Sequence, residues 1–303
     1  MNVSTNMMYQ QLTDAMSNSS TALTTLQGEV ASGLNYNNPS DAPTTMGQIL
    51  TMSSRMSALS QAQDTVKTVN SSLGAQATAL QSAQGVVTRL NAIAIQGMDG
   101  SLAQTDRTAL VAEVTQLKNS LLDIANTQSP TGQYVFGGTD TGSPPYVQNS
   151  LTQQVTYTGA SAPLRVQVSP TSYEDSAITG PSAFQVSTGN GTNIDVFKTL
   201  DDLNTALNNN DQAGISTAES NLKSLSDNLS VSMSVVGAAQ NRMSDITANT
   251  TELTTQTQQV LSNVQDLDYG TALANLQKQQ VLLQASETLV SQLSKLSLLN
   301  EMK

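Results

Sequence analysis

The sequence predicts a mainly α-helical chain with a β-rich insertion, its long helices laid side by side as an elongated antiparallel bundle. Three observations carry this expectation: heptad-spaced apolar residues over very long stretches, a core repertoire poor in aromatics, and one interior block that gathers prolines and β-prone residues. Met52, Leu59, Val66, Leu73, Leu80, Val87 and Ala94 recur every seven residues. Ala62, Val69, Gln76, Ala83 and Leu90 fill the interleaved positions, with Gln76 as the polar exception; apolar residues alternately three and four apart are the signature of a helix seam. As one helix, residues 46–98 would run ~80 Å, and 211–267 a little more. A compact globule of this length has a radius of gyration of only ~19 Å. Such helices must therefore lie alongside one another, unless Gly74, Gly85 or Gly237 breaks them. An interior glycine costs only ~1 kcal/mol, too little to require a break.

The other helices follow from the same spacing. Tyr9, Leu12, Met16, Ser19, Leu23, Leu26 and Val30 form a first run, and Leu110, Val114, Leu117, Leu121 and Ile124 a shorter one. A long run extends from Ile215 through Leu222, Leu229, Val236, Met243, Thr250, Thr257 and Val264. Near the C-terminus, Leu273, Leu276, Leu283, Val290 and Leu293 lie on one flank of a helix, and Leu282, Ala285, Leu289, Leu296 and Leu299 on the next. That stripe is wide for a lone surface helix. Residues 1–30 offer a matching one, so the two chain ends are expected to pair.

The pattern changes between 130 and 195, where six of the eight prolines fall. QYVFGG (133–138), QVTYTG (154–159), PLRVQVS (163–169) and AFQVS (183–187) read as strands bounded by Gly and Pro. A short helix over 195–209 leads back to the bundle. The expected organisation is thus terminal helices 1–43 and 265–303, a long-helix bundle of 44–130 and 195–264, and an inserted β-rich domain of 131–194.

Composition excludes several functions. The chain has 303 residues, 12 Lys and Arg against 23 Asp and Glu, and a net charge of −11. Nucleic acid and anionic membrane surfaces both need clustered cations, so neither is an expected partner. There is no Cys and no His, which removes disulfides, thiol nucleophiles, Ser-His-Asp triads and the usual zinc sites. No run of ~18 apolar residues marks a membrane span. The start, MNVSTNMMYQQL, lacks the basic-then-apolar order of a secretory signal. No catalytic residue, cofactor or metal is expected.

Three features invite a chemical reading and have a plainer one. Asp201-Asp202 and Glu174-Asp175 are carboxylate pairs, but neighbours in sequence point to different faces and no third ligand has suitable spacing, so a solvated surface is expected. Gly137-Gly138 follows a candidate strand without a phosphate-loop motif, which favours a turn or close backbone packing. Met1, Met7, Met8, Met16, Met46, Met52 and Met56 suit a core or an adaptable contact surface between subunits.

The stretch ASGLNYNNPSDAP (31–43) separates the first two helices. Asn tolerates left-handed backbone, Ser40 or Asp41 can cap the following helix, and Pro43 suits a first turn where no N–H is needed. A helix therefore ends at Gly33 and another starts near Ala42.

A helix closing in Ala31-Ser32-Gly33-Leu34-Asn35, followed by Pro39-Ser40-Asp41 and a long heptad helix, resembles the N-terminal signature of the bacterial flagellin superfamily, in which LSSGLRIN precedes a similar turn. Ser4-Thr5-Asn6 and the apolar C-terminus extend the likeness. Within the superfamily the chain is most similar to the hook-associated protein 3 (hook–filament junction) family. Pro39-Ser40-Asp41-Ala42-Pro43 resembles its PSDDP pattern with Ala42 in place of the second Asp, whereas filament flagellins continue as DDAAG. Tyr134-Val135-Phe136-Gly137-Gly138, with Pro144-Pro145-Tyr146 after it, resembles that family's YIFGG segment. Val236-Gly237-Ala238 with Asn241-Arg242 resembles its VGAR-type stretch, and Leu293-Ser294-Lys295-Leu296-Ser297-Leu298-Leu299-Asn300 its SQLSLLNYL ending; the last three residues, Glu301-Met302-Lys303, depart from it.

The resemblance implies a structural, non-enzymatic adaptor of the bacterial flagellum, outside the cell, exported unfolded through the flagellar type III apparatus without a cleaved signal. It would form a ring of its own copies between a neighbouring hook-associated protein and flagellin, and be held by an export chaperone beforehand. The terminal helices would pair on assembly through Leu12, Met16, Leu23, Leu26 and Val30 and through Leu276, Leu283, Leu289, Val290, Leu293, Leu296 and Leu299. Gly33, Asn35, Pro39, Ser40, Asp41 and Pro43 would form the joint. Two other readings remain: a minor filament flagellin, and a binding or enzymatic module in the insertion. Arg89, Leu90, Ile93, Ala94 and Gln96, with Glu113, also resemble the flagellin stretch read by an innate immune receptor, although Asn91 departs from it and most of these positions sit in or beside a heptad seam.

Overall fold

The computed structural model describes residues 2–40, 42–169, 172–187 and 193–301, with the side chains of 2–6 and 293–301 outside that description. In chain order the elements are α1 (Asn2–Ser32), α2 (Pro43–Gly97), α3 (Gln104–Ala125), β1 (Tyr146–Gln148), β2 (Val155–Tyr157), β3 (Arg165–Ser169), β4 (Ser172–Asp175), α4 (Gly180–Phe184), β5 (Gln185–Ser187), β6 (Asn193–Asp195), α5 (Val196–Asn209), α6 (Gln212–Gln265) and α7 (Tyr269–Glu301). The chain is mainly α with small antiparallel sheets in an insertion, as the heptads and the proline block predict. Helices α2 and α6 run 55 and 54 residues. Gly74, Gly85 and Gly237 leave them unbroken; at Gly85 and Gly237 a Cβ would meet nothing within 4 Å, so the missing side chain answers no steric need there.

Two compact units divide the chain, one of Met1–Ser57 with Leu253–Lys303 and one of Ala58–Glu252. In the second, α2 packs antiparallel to α6, as Gln84 Nε2 donating to Ser226 Oγ at 2.6 Å and Gln212 Nε2 donating to the Gly97 carbonyl at 3.4 Å both require. The α2 seam is buried from Leu59 to Ala94, and Leu222, Leu225, Leu229 and Val236 close it from α6. Helix α3 returns beside α2 and meets α5, where Asn204 donates to Thr115 at 3.4 Å. The Asp195 carboxylate caps α5 by accepting from the Phe197 and Lys198 amides at 2.9 and 3.1 Å. Asn210 ends it in left-handed backbone, φ 53°.

The insertion contains three two-stranded antiparallel sheets, β1–β2, β3–β4 and β5–β6. An aromatic knot joins β1–β2 to α4 and α5: Tyr146 contacts Tyr157, Phe184 and Phe197 with ring centroids 5.1–5.7 Å apart. The strand expected at 133–138 is instead a turn, with only Tyr134 paired, to Gln128. Its glycines give the reason. A Cβ on Gly137 would lie 2.0 Å from the Asp140 carbonyl oxygen, and Gly138 has φ +66°. The chain therefore folds back on itself and buries Val135 and Phe136. The expected strand at 183–187 starts later, at Gln185, because Ala183 and Phe184 close the short helix α4.

Side-chain amides on the helices pin this irregular backbone. Buried Gln76 donates to the carbonyls of Val135 (2.7 Å) and Ile178 (2.9 Å) and accepts from the Ile178 amide (3.1 Å). Asn126, just after α3, exchanges two bonds with the backbone of Tyr146, at 2.8 and 3.0 Å. Asn228 on α6 donates to the carbonyls of Ser182, Ala183 and Gln185, the open end of α4. Gln76 and Asn126 each supply a donor and an acceptor as a strand neighbour would, and Asn228 supplies donors to open carbonyls, which lets a loop lie against a helix without orphaned polar groups.

The paired carboxylates have partners rather than a shared ligand. Lys118, only 5% exposed, donates to Asp201 at 2.5 Å and to the Gln153 carbonyl at 2.8 Å. Asp202 pairs with Lys198 at 2.8 Å, Glu174 with Arg242 at 2.7 Å, and Asp175 with Arg165 at 3.5 Å. Glu174 is 12% exposed, so it departs from the solvated surface expected of it. The Arg242 guanidinium supplies the charge that lets it leave water.

Candidate assembly interface

In the unit formed by the chain ends, α1 and α7 pack against each other. They run antiparallel, because Gln279 Nε2 donates to the Ser19 carbonyl at 3.4 Å while the joints beside Ser32 and Tyr269 meet at one end. Leu12, Met16, Leu23, Leu26 and Val30 are all half-buried on α1, and so are Leu276, Leu283 and Val290 on α7. Of the expected contact residues, Leu289 faces outward with half its surface exposed, and the side chains of Leu293, Leu296 and Leu299 lie outside the described residues. Val281 and Leu282 lie on the outer side of α7, Val281 with 64% exposed, and Leu273 is exposed on the opposite flank. Helix α7 is therefore apolar both toward α1 and away from it, an arrangement that a single chain leaves open to water.

The joints at the base of this pair are tied together. Gly33 ends α1 at φ +75°, its amide donating to the Glu29 carbonyl at 2.8 Å. Glycine is needed there twice over: the left-handed turn disfavours a side chain, and a Cβ would lie 2.9 Å from the Tyr269 hydroxyl. Leu34 then forms an antiparallel bridge with Asp266. The Leu267 amide donates to the Gly33 carbonyl at 2.9 Å, and the Asn35 amide to the Gln265 carbonyl at 2.8 Å. Asn35 Nδ2 adds a third bond, to the Asp266 carbonyl at 2.8 Å.

Of the other joint residues, Pro39 and Ser40 are exposed, Pro43 is the first residue of α2, and Asp41 lies outside the described residues. The Ala42 carbonyl, just before Pro43, accepts from the Met46 amide at 2.8 Å. Sequence reading named Gly33 and Asn35 but gave them no partner, and it missed Asp268. That carboxylate accepts from the Gly270 amide at 2.9 Å and from the Thr271 hydroxyl at 2.9 Å, capping α7. These bonds, the Thr271 hydroxyl's first, hold its carboxyl below the usual range. Asp immediately before a helix start is the signal that could have revealed it.

Away from the joints, Arg89 Nε donates to Glu113 at 2.6 Å, while Leu90, Ile93 and Ala94 are fully buried. The apolar half of the receptor-like stretch is thus core of the α2 seam. Among the described residues no group of three acidic side chains could hold a metal ion, and no helix is long and apolar enough to cross a membrane.

Comparison with known proteins bears on the same elements. The family model for the bacterial flagellin N-terminal helical region matches residues 3–141, and that for the flagellin C-terminal helical region matches 220–301. The flagellar hook-associated protein 3 of Escherichia coli is 25% identical, with 98% of each chain aligned. A flagellin of Listeria monocytogenes is 24% identical over 96% of this chain and 95% of its own. Among solved structures, a flagellar hook-associated protein from Vibrio parahaemolyticus shares the fold with TM-score 0.66 and 22% identity, covering 75% of this chain and all of its own. The chain belongs to the bacterial flagellin family.

Proposed function

We propose that this chain is a structural, non-enzymatic junction protein of the bacterial flagellum, an adaptor ring joining the hook side to the flagellin filament. The observation that carries the reading is the α1–α7 pair: two long helices tied at their base, whose apolar rows are half-covered in one chain. Copies set around a tube would cover them, since a ring of identical subunits repeats one heterologous contact until it closes. The near end-to-end alignment with a hook-associated protein 3 supports the same role. In this reading the chain leaves the cell unfolded without a cleaved signal, is held by an export chaperone on the way, and meets a hook-associated protein on one side and flagellin on the other. The terminal helices 1–43 and 265–303 are its inner, axial part.

The likeness to a flagellin over 96% of the chain favours a second reading, a minor filament subunit. A strain lacking the protein separates the two. Loss of a junction adaptor leaves hooks in place and releases filament subunits into the medium; normal filaments in that strain would rule out the junction role.

A further inference from the structure

The apolar rows of α1 and α7 do not by themselves choose how far one helix is slid along the other. Leu12, Leu23, Leu26 and Val30 recur at heptad spacing, as do Leu276, Leu283 and Val290. A slide of one heptad exchanges one aliphatic side chain for a similar one along Met16, Leu23 and Val30 and along Leu276, Leu283 and Val290; the polar interruptions are Ser19 on α1 and Gln279 on α7. Among the described residues no ion pair crosses the seam to resist it. The hydrogen bond from Gln279 to Ser19, at 3.4 Å, is near the limit at which such a bond counts.

The joints are different in kind. Gly33 and Asn35 bond to Leu267, Gln265 and Asp266 through three contacts of 2.8–2.9 Å, each with a backbone group on at least one side. Helix α1 ends one residue before this strap and α7 begins two residues after its last contact. Backbone groups at fixed chain positions cannot be replaced by equivalents seven residues along, so the strap is compatible with a single register. Tyr269 at the start of α7 adds to this, because its hydroxyl fits only against a residue without a Cβ, Gly33.

We propose that the Gly33–Asn35 strap sets the register of α1 against α7, with Asn35 as the positioning residue. On the junction reading above, which this consequence rests on, the strap thereby fixes the height along the pair at which the exposed apolar residues of α7, Leu273, Val281, Leu282 and Leu289, meet other subunits.

The native chain has no cysteine, so two introduced ones can be spin-labelled without background. Gln11→Cys and Asn275→Cys, both exposed positions, place labels on α1 and α7 at different heights along the pair. A one-heptad slide moves them by ~10 Å along the axis. With the strap intact, the full-length chain gives a single narrow distance. Asn35→Pro removes both Asn35 donors, and a second population shifted by ~10 Å is then expected. Should that variant lose helix by circular dichroism, Asn35→Ala decides instead, since it deletes only the side-chain donor; broadening is expected there. A distribution unchanged from the parent in the deciding variant would overturn the proposal. Asp266→Ala keeps the accepting carbonyl and should leave the narrow distance intact; broadening there would assign register to the carboxylate and overturn the role given to Asn35. All of this is read on the isolated chain, so its outcome is independent of the deletion strain.

Discussion

Gln76 and Ile178 exchange two hydrogen bonds, the side-chain Nε2 donating to the Ile178 carbonyl at 2.9 Å and Oε1 accepting from its amide at 3.1 Å. The same Nε2 also donates to the Val135 carbonyl at 2.7 Å. Gln76 lies in the α2 seam with no exposed surface. Its replacement by Leu therefore adds apolar volume where a heptad would favour it, but strands two carbonyls and an amide of the insertion. Each stranded buried group costs about 1–3 kcal/mol. Gln76→Leu is expected to destabilise the chain by roughly 3 kcal/mol or more in denaturant unfolding, with amide exchange near Ile178 accelerated first. Equal or greater stability would mean that the amide is dispensable and the seam purely apolar.

Lys118 and Asp201 form a lopsided pair, with 5% of the lysine side chain exposed and 38% of the aspartate. Removing either partner leaves the other charge behind, but in different surroundings. Asp201→Leu leaves an ammonium buried between α3 and α5 and is expected to cost about 3–5 kcal/mol. Lys118→Met leaves a carboxylate that water can reach, and should cost about 1–2 kcal/mol, chiefly through the lost bond to the Gln153 carbonyl. The double variant should recover most of the larger loss. A double-mutant cycle by urea denaturation checks this; equal single costs would contradict the assignment of the penalty to burial.

Tyr146 stands at the centre of the aromatic knot, and its hydroxyl is buried without a hydrogen-bond partner among the described residues. Burial, with the nearby Asp195 and Tyr157 charges, pushes its pKa well above the ordinary value of 10. A raised folded pKa on an acid favours the neutral form in the folded chain. Its stabilising contribution is complete below pH ~10 and is lost as pH rises from there toward the folded value. Tyr146→Phe keeps the ring and discards the unpartnered oxygen, so at pH 7 it should be neutral or slightly stabilising. In alkaline unfolding its midpoint should move to higher pH. An unchanged alkaline midpoint would locate the titrating group elsewhere, with Tyr157, whose pKa burial also raises, the next to replace.

These residues also mark where sequence reading stops. The α2 seam was legible because a heptad is a local regularity: every interleaved position from Ala62 to Leu90 is buried. Gln76 showed as an exception to that pattern, but the groups it serves, Val135 and Ile178, lie 59 and 102 positions away, and no local rule reaches so far. The turn at 133–138 was misread for the opposite reason. Its residues favour a strand one by one, and only close packing on Gly137 and Gly138 folds them back. At the joint, Gly33 announced a helix end by its residue type, whereas the bridge from Leu34 to Asp266 joins two loops at opposite ends of the chain. Val260, three residues after Thr257 and so at an interleaved position of the α6 run, is 46% exposed, because a seam position is buried only where another helix lies over it.

The two sides of α7 should respond differently to charge. Leu276 and Leu283 are half-buried, whereas Val281, Leu282 and Leu289 keep 45–64% of their surface exposed. An Asp at Leu289 stays in water in the isolated chain, where surface changes are usually within about 0.5 kcal/mol. An Asp at Leu283 puts a carboxylate into the half-covered row, which costs more because burial disfavours its charged form. Leu289→Asp should therefore leave helix content and thermal unfolding unchanged while abolishing assembly on hooks, since in an assembled ring its carboxylate would have to leave water unpaired. Leu283→Asp should instead expose α1 to limited proteolysis before any assembly is attempted. Circular dichroism, proteolysis and motility of the two variants, set side by side, test the division. Normal motility in Leu289→Asp would show that the outer apolar side of α7 is not a contact between subunits.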